Sequence, residues 1–265
     1  MQKVMCDFRR RLRGACFVAS VLVGLVGLVS PAMAETDRPY AWTGFYAGLS
    51  LGGEFFTGGS SSFCTAPSGT PFGPGCIYPN NLRADKAGIA GGALGGYLYQ
   101  IGHTVLGIEA DMSALSAQGT TTLQSPGYAN GVAPVPNIQT VTQQVDWLAT
   151  LRPRVGYDFG GVLAYATGGL ALGQTRIDGK VGFPGTSFGY PSSGQATMLG
   201  YAVGGGVEYA LFQRWTVRAE GLYFDLGSQN IWNTGGQPAN GAGFTAGFTG
   251  YFNGVLARIA ANYRF

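Results

Sequence analysis

The chain has 265 residues, enough for one or two domains, but its composition is not that of an ordinary soluble protein. Only 11% of the residues are charged and 46, about 17%, are glycine, against roughly 25% and 7% in soluble domains. Aromatic residues at 13% exclude a disordered tract, and glycines without a three-residue period exclude collagen. Chains this poor in charge and rich in glycine and aromatics suit β-barrels whose strands meet lipid on one face.

In chain order, a targeting segment comes first. Lys3, Arg9, Arg10, Arg11 and Arg13 form a basic start, Ala15 to Val29 an uncharged apolar stretch, and Ser30-Pro31-Ala32-Met33-Ala34 a small-residue cleavage site. This predicts a secretory signal over residues 1–34, cut between Ala34 and Glu35, and a barrel domain over 35–265. The apolar run of 15 residues falls short of the roughly 20 that a spanning helix needs. Without the segment's five bases and Asp7, 11 basic and 12 acidic residues remain, a net charge of −1. The basic isoelectric point of 8.7 belongs to the whole chain and marks no nucleic-acid partner.

From there on the dominant pattern is period two, that of strands with two unlike faces. In the last segment Val255, Ala257, Ile259, Ala261, Tyr263 and Phe265 alternate with Leu256, Arg258, Ala260, Asn262 and Arg264. Eight strands are predicted, at 43–56, 86–100, 104–113, 144–157, 161–176, 196–210, 214–227 and 252–265. Three connections are tight, Ile101–His103, Asp158–Gly160 and Leu211–Gln213; the other four, over 57–85, 114–143, 177–195 and 228–251, are long. That inequality predicts an all-β, eight-stranded antiparallel up-and-down transmembrane barrel with short periplasmic turns and four long extracellular loops. Tyr97, Tyr157, Tyr209 and Tyr263 precede the periplasmic end of alternate strands and would form a girdle at the lipid–water boundary.

The strand phases send Glu54, Glu109, Asp111, Asp146, Glu208 and Glu220 into the lumen, with Arg152, Arg154, Arg218, Arg258 and Arg264. Charges removed from water must be paired, and an eight-stranded lumen is just wide enough for side chains to fill. The expectation is a plug of arginine–carboxylate pairs; an ion path lined by fixed charges is the alternative.

Three motifs carry a family resemblance: Trp42-Thr43-Gly44-Phe45-Tyr46-Ala47-Gly48, Thr167-Gly168-Gly169-Leu170-Ala171 and the terminal Tyr263-Arg264-Phe265. In these the chain resembles the small outer-membrane β-barrels, of the alphaproteobacterial porin-family or outer-membrane immunogenic type. The resemblance covers about residues 42–265 and implies an outer-membrane location and an eight-stranded barrel, without implying one activity. It also implies that Tyr263 and Phe265, ending an alternating last strand, serve as the signal read by the barrel-assembly machinery.

Two cysteines lie past the signal, Cys64 and Cys76, both in the first long loop. In an oxidising periplasm they are expected to form a disulfide closing a 13-residue loop. The single histidine, His103, falls in a periplasmic turn, with no nucleophile beside it and no cysteine–histidine metal cluster. No enzyme, metal or cofactor is therefore expected. The expected function is structural or surface-interacting, with membrane lipid and the assembly machinery as partners. The alternatives are a narrow porin, or a surface protein binding haem or a host or matrix partner through loop aromatics such as Phe63, Tyr78, Tyr128, Phe188, Tyr190 and Trp232.

Overall fold

The computed structural model describes residues 40–65, 81–125, 136–182, 184–185, 189–232 and 245–265. The expected signal segment and the Ala34–Glu35 cleavage site lie outside them. From residue 41 onward the described chain is all strand and turn. In chain order the strands are β1 (Gly44–Thr65), β2 (Asn81–Ile101), β3 (Thr104–Leu115), β4 (Gln118–Ser125), β5 (Asn137–Asp158), β6 (Val162–Gly182), β7 (Gly189–Ala210), β8 (Trp215–Trp232) and β9 (Thr245–Arg264). All neighbours are antiparallel, and β1 pairs with both β2 and β9. β3 and β4 follow one another along β5 with a break at Ser116–Ala117, so together they occupy one place in a ring of eight. Closure removes every edge from the part of the ring that meets lipid.

The tight turns are built by local chemistry. At Phe159–Gly161 the Asp158 carboxylate accepts from the Gly160 and Gly161 amides, both at 3.0 Å. Those glycines have φ of +83° and +96°, a region other residues rarely adopt. The short turns, the first strand's start and the carboxyl terminus share one rim. Aromatics line its outer surface: Phe45 packs on Tyr97 at 4.8 Å, Tyr157 on Phe159 at 4.8 Å, and Trp215 on Tyr263 at 5.2 Å.

The strands are longer than expected. β1, β5 and β7 each run 22 residues, about twice the 9–11 that cross a bilayer. The segments 57–65, 81–85, 118–125, 137–143, 177–182, 189–195, 228–232 and 245–251, expected as loops, are barrel wall. The physical reason lies in their outward face. Up to Phe55, Met112, Leu172 and Leu199 the outward residues are apolar and exposed. Beyond that level they become Thr57, Thr120, Asp178, Lys180, Gln195 and Asn230. The inward face changes the other way, from charged to apolar. Alternation persists while its polarity inverts, and a lipid-facing template does not recognise the inverted stretch.

Irregularities cluster at this transition. β5 carries a register shift between Val145 and Trp147, β8 one between Asp225 and Ser228, and the β3–β4 break lies opposite the β5 shift. Bulges of this kind bend a strand and increase its twist.

Candidate functional site: the closed lumen

The lumen is filled in two storeys. In the membrane half, β3 supplies Glu109 and Asp111, β5 Arg152 and Arg154, β7 Glu208, β8 Arg218 and Glu220, and β9 Arg258, all buried. Four carboxylates thus face four guanidinium groups. Glu109 is the hub, meeting Arg152 at 2.9 Å, Arg154 at 3.0 Å, Arg218 at 2.5 Å and Arg258 at 3.9 Å. Arg152 also reaches Asp111 at 2.6 Å, and Arg258 bridges Asp111 at 3.0 Å and Glu220 at 2.6 Å. Arg154 joins Glu208 at 3.0 Å.

Neutral donors satisfy further carboxylate lone pairs. Tyr46 donates to Glu109 at 2.5 Å, Tyr165 to Glu220 at 2.7 Å, Thr150 to Asp111 at 2.5 Å, and Thr216 and Asn262 to Glu208 at 2.6 and 2.9 Å. The Arg154 guanidinium lies 3.8 Å from the Tyr165 ring centroid, a contact that favours a cation over an aromatic face. The two tyrosines fit because glycines stand opposite. A Cβ on Gly96 would come within 2.7 Å of the Tyr46 hydroxyl, and one on Gly206 within 2.6 Å of the Tyr165 hydroxyl.

Above this network the filling is mostly apolar, with the uncharged polar side chains of Gln139, Gln143 and Thr175 buried among it. Phe56, Ile177, Phe224, Phe248 and Phe252 are buried in one cluster with Val141, Val145 and Leu226. Phe56 and Phe252 meet at 6.2 Å between ring centroids. The upper barrel is therefore polar outside and mainly apolar and uncharged inside, while the lower half is apolar outside and charged inside.

Of the eleven charged residues expected inside, eight form the network. Glu54 is buried on the inward face but between the storeys; one carboxylate oxygen accepts from the Ala117 amide at 3.1 Å, and no described arginine pairs with it. Asp146 lies on the outer side, 3.7 Å from Arg176 and hydrogen-bonded by Gln144 at 2.6 Å. The β5 bulge makes it the extra residue and turns it out of the lumen phase. Arg264 is buried at the periplasmic rim, donating to the carbonyls of Ala41 and, at 2.8 Å, Thr43. Its place is a terminal clamp on the entry strand, apart from the carboxylate network. Tyr46 and Tyr165 were legible only through their inward phase, which they share with the charges.

His103 belongs to its turn: Nδ1 lies 3.0 Å from the Asp158 carbonyl, and the ring stacks on Tyr157 at 5.4 Å. Tyr263 accepts from Arg214 at 3.0 Å, and the exposed Phe265 donates its amide to the Phe45 carbonyl at 3.1 Å. Cys76, the Cys64 side chain, Tyr78, Tyr128, Phe188 and the side chains of Phe63 and Tyr190 lie outside the described residues; Trp232 is half-exposed at the top of β8. Among the described residues no group of three or more His, Cys, Asp or Glu could hold a metal ion.

A closed antiparallel ring with an apolar outer band and a filled lumen defines a transmembrane β-barrel. The chain belongs to the outer membrane protein beta-barrel domain family, whose model matches residues 20–252. It is 31% identical over 224 residues to the 31 kDa outer-membrane immunogenic protein of Brucella melitensis, covering 82% of this chain and 85% of that one. To the 22 kDa outer membrane protein of Rhizobium leguminosarum it is 29% identical over 160 residues, covering 60% and 63%. Among solved structures it is similar to the outer membrane protein OprG of Pseudomonas aeruginosa, with a TM-score of 0.51 at 14% identity over 86% of this chain and 99% of that one. The protein is an outer-membrane β-barrel.

Proposed function

We propose that the protein is a non-conducting structural element of the outer membrane that holds a rigid polar surface above the lipid. The supporting observation is the two-storey filling: a buried, balanced network of four acids and four arginines under an apolar cluster. An ion entering from the periplasmic side meets charges already neutralised by one another, and one entering from outside meets a mainly apolar, uncharged filling. The same observation disfavours the porin reading. No catalytic role is assigned, because the histidine is spent on its turn and the four carboxylates of the lumen network on arginines. The relatives named as immunogenic proteins support exposure of the upper barrel and loops at the cell surface.

Recording from the refolded chain in a planar bilayer tests this. The expected result is a baseline indistinguishable from lipid alone. Reproducible unitary steps would return the chain to the porins.

A further inference from the structure

The lipid-facing wall is not uniformly smooth. Around Pro153 it carries a groove of about 440 Å³, lined by outward residues of three adjacent strands: Leu106 of β3, Pro153 and Val155 of β5, and Ala166 and Gly168 of β6. The register places Leu106, Val155 and Ala166 in one row across the sheet. Leu106 and Val155 stand up as a wall, while Pro153, Ala166 and Gly168 leave a floor almost at backbone level. Pro153 has no N–H to give its neighbour, and the β5–β6 ladder skips Arg152 and Pro153 between Leu151↔Leu170 and Arg154↔Thr167. The inward Thr167 spans the gap, its hydroxyl donating to the Pro153 carbonyl at 2.8 Å.

We infer that this groove seats one acyl chain of a phospholipid from the periplasmic leaflet. Its outward residues carry no charged or polar side chain. Of the inward-phase residues that also border it, Gly107 has none, Arg154 points into the lumen network and the Thr167 hydroxyl is already used. The groove is continuous with the apolar band, bounded by the exposed Ile108, Leu151, Leu170 and Val203, so the medium that covers it is lipid hydrocarbon. Depth selects the leaflet. Leu106 lies two residues past the start of β3, and Val155 three before the end of β5, next to the Tyr157 girdle. At ~3.3 Å per residue that is within about 10 Å of the periplasmic boundary, inside the near half of a hydrocarbon core ~30 Å thick. A chain lying there gains contact on its sides as well as its underside, which the convex wall elsewhere does not give.

The test uses the whole chain, extracted in detergent and mixed with phosphatidylglycerol or phosphatidylethanolamine, with retained lipid counted by native mass spectrometry. The wild type is expected to retain a single phospholipid, with little preference between head groups. Ala166→Leu and Gly168→Leu fill the floor and should each lower retention about tenfold. Ala110→Leu adds the same bulk to an exposed position of β3 off the groove and should leave retention unchanged. A phospholipid carrying a photoreactive group on its chain should label the Leu106–Val155–Ala166 row above Leu49, Leu199 and Ile259. Even labelling around the band, or equal retention by the filled variants and the wild type, would overturn the assignment. Retention by one head group alone would do so too.

Discussion

Glu109 meets all four arginines of the lumen network, whereas Glu208 meets only Arg154 among them. A buried ion pair is weak evidence for stability, but removing one partner strands the others without water. Glu109→Gln keeps shape and leaves four arginines facing three carboxylates. It should destabilise the barrel by about 3–5 kcal/mol, read as a lower urea midpoint for unfolding from lipid vesicles. Asp146→Asn removes a partly exposed charge 3.7 Å from Arg176 and should change the unfolding free energy by less than about 1 kcal/mol. Equal effects would mean that the network is not a cooperative unit. These two acids also show what a sequence reading can resolve. Period two placed Glu109 inside, and no local pattern contradicts it. It placed Asp146 inside as well, because a bulge between Val145 and Trp147 shifts the phase by one residue without any glycine or proline to mark it.

The element that departs most from an ideal ring is β4. Below Ile89 and Ser116 the wall between β2 and β3 is a continuous ladder ending at Ala90↔Leu115. Above it β4 pairs with β5, yet among the described residues no ladder joins β4 to the outer part of β2. One backbone bond, from the Ser116 amide to the Ile89 carbonyl at 3.1 Å, and side chains bridge the seam instead. Ser116 both donates to and accepts from the backbone of Ile89, at 3.0 and 2.7 Å, and Thr121 donates to the Arg83 carbonyl. Unpaired amides along two facing edges exchange with solvent more freely than amides locked in two ladders. Hydrogen exchange of the reconstituted barrel should therefore show residues 82–88 and 118–125 losing protection well before 163–171 of β6. Equal protection across these segments would show that the seam is zipped in solution. The lower parts of the strands were readable because charge, glycine and aromatic girdle all agree with period two there. The upper parts were not, since Thr140-Val141-Thr142-Gln143 alternates with too little contrast to separate wall from loop.

At the scale of the whole molecule, the inversion of polarity fixes where the membrane ends. A second aromatic level, with Phe55, Trp147, Tyr201, Tyr223 and Tyr251, lies 8–12 residues along the strands from Phe45, Tyr157, Tyr209, Trp215 and Tyr263. That spacing matches an apolar band about 25 Å tall crossed by tilted strands. The remaining ten or so residues of each strand lift the wall roughly 20–25 Å further at a 45° tilt. This upper tier is held by the apolar cluster around Phe56, Phe224, Phe248 and Phe252, as a soluble barrel would be. On β6 the crossing is sharp: Leu170 and Leu172 face outward as exposed apolar residues, Gln174 accepts from the Trp147 indole at 3.0 Å, and Arg176, Asp178 and Lys180 follow in the same phase. Single cysteines placed at these positions, with Cys64 and Cys76 replaced by serine, should report the boundary to a membrane-impermeant maleimide applied to intact cells. Positions 176, 178 and 180 should label, 170 and 172 should not, and the change should fall at 174. Protection continuing through 180 would place the apolar storey within the bilayer, leaving the polar outer wall of Thr120, Thr142, Asp178 and Gln195 buried in hydrocarbon at a cost of several kcal/mol per charged group.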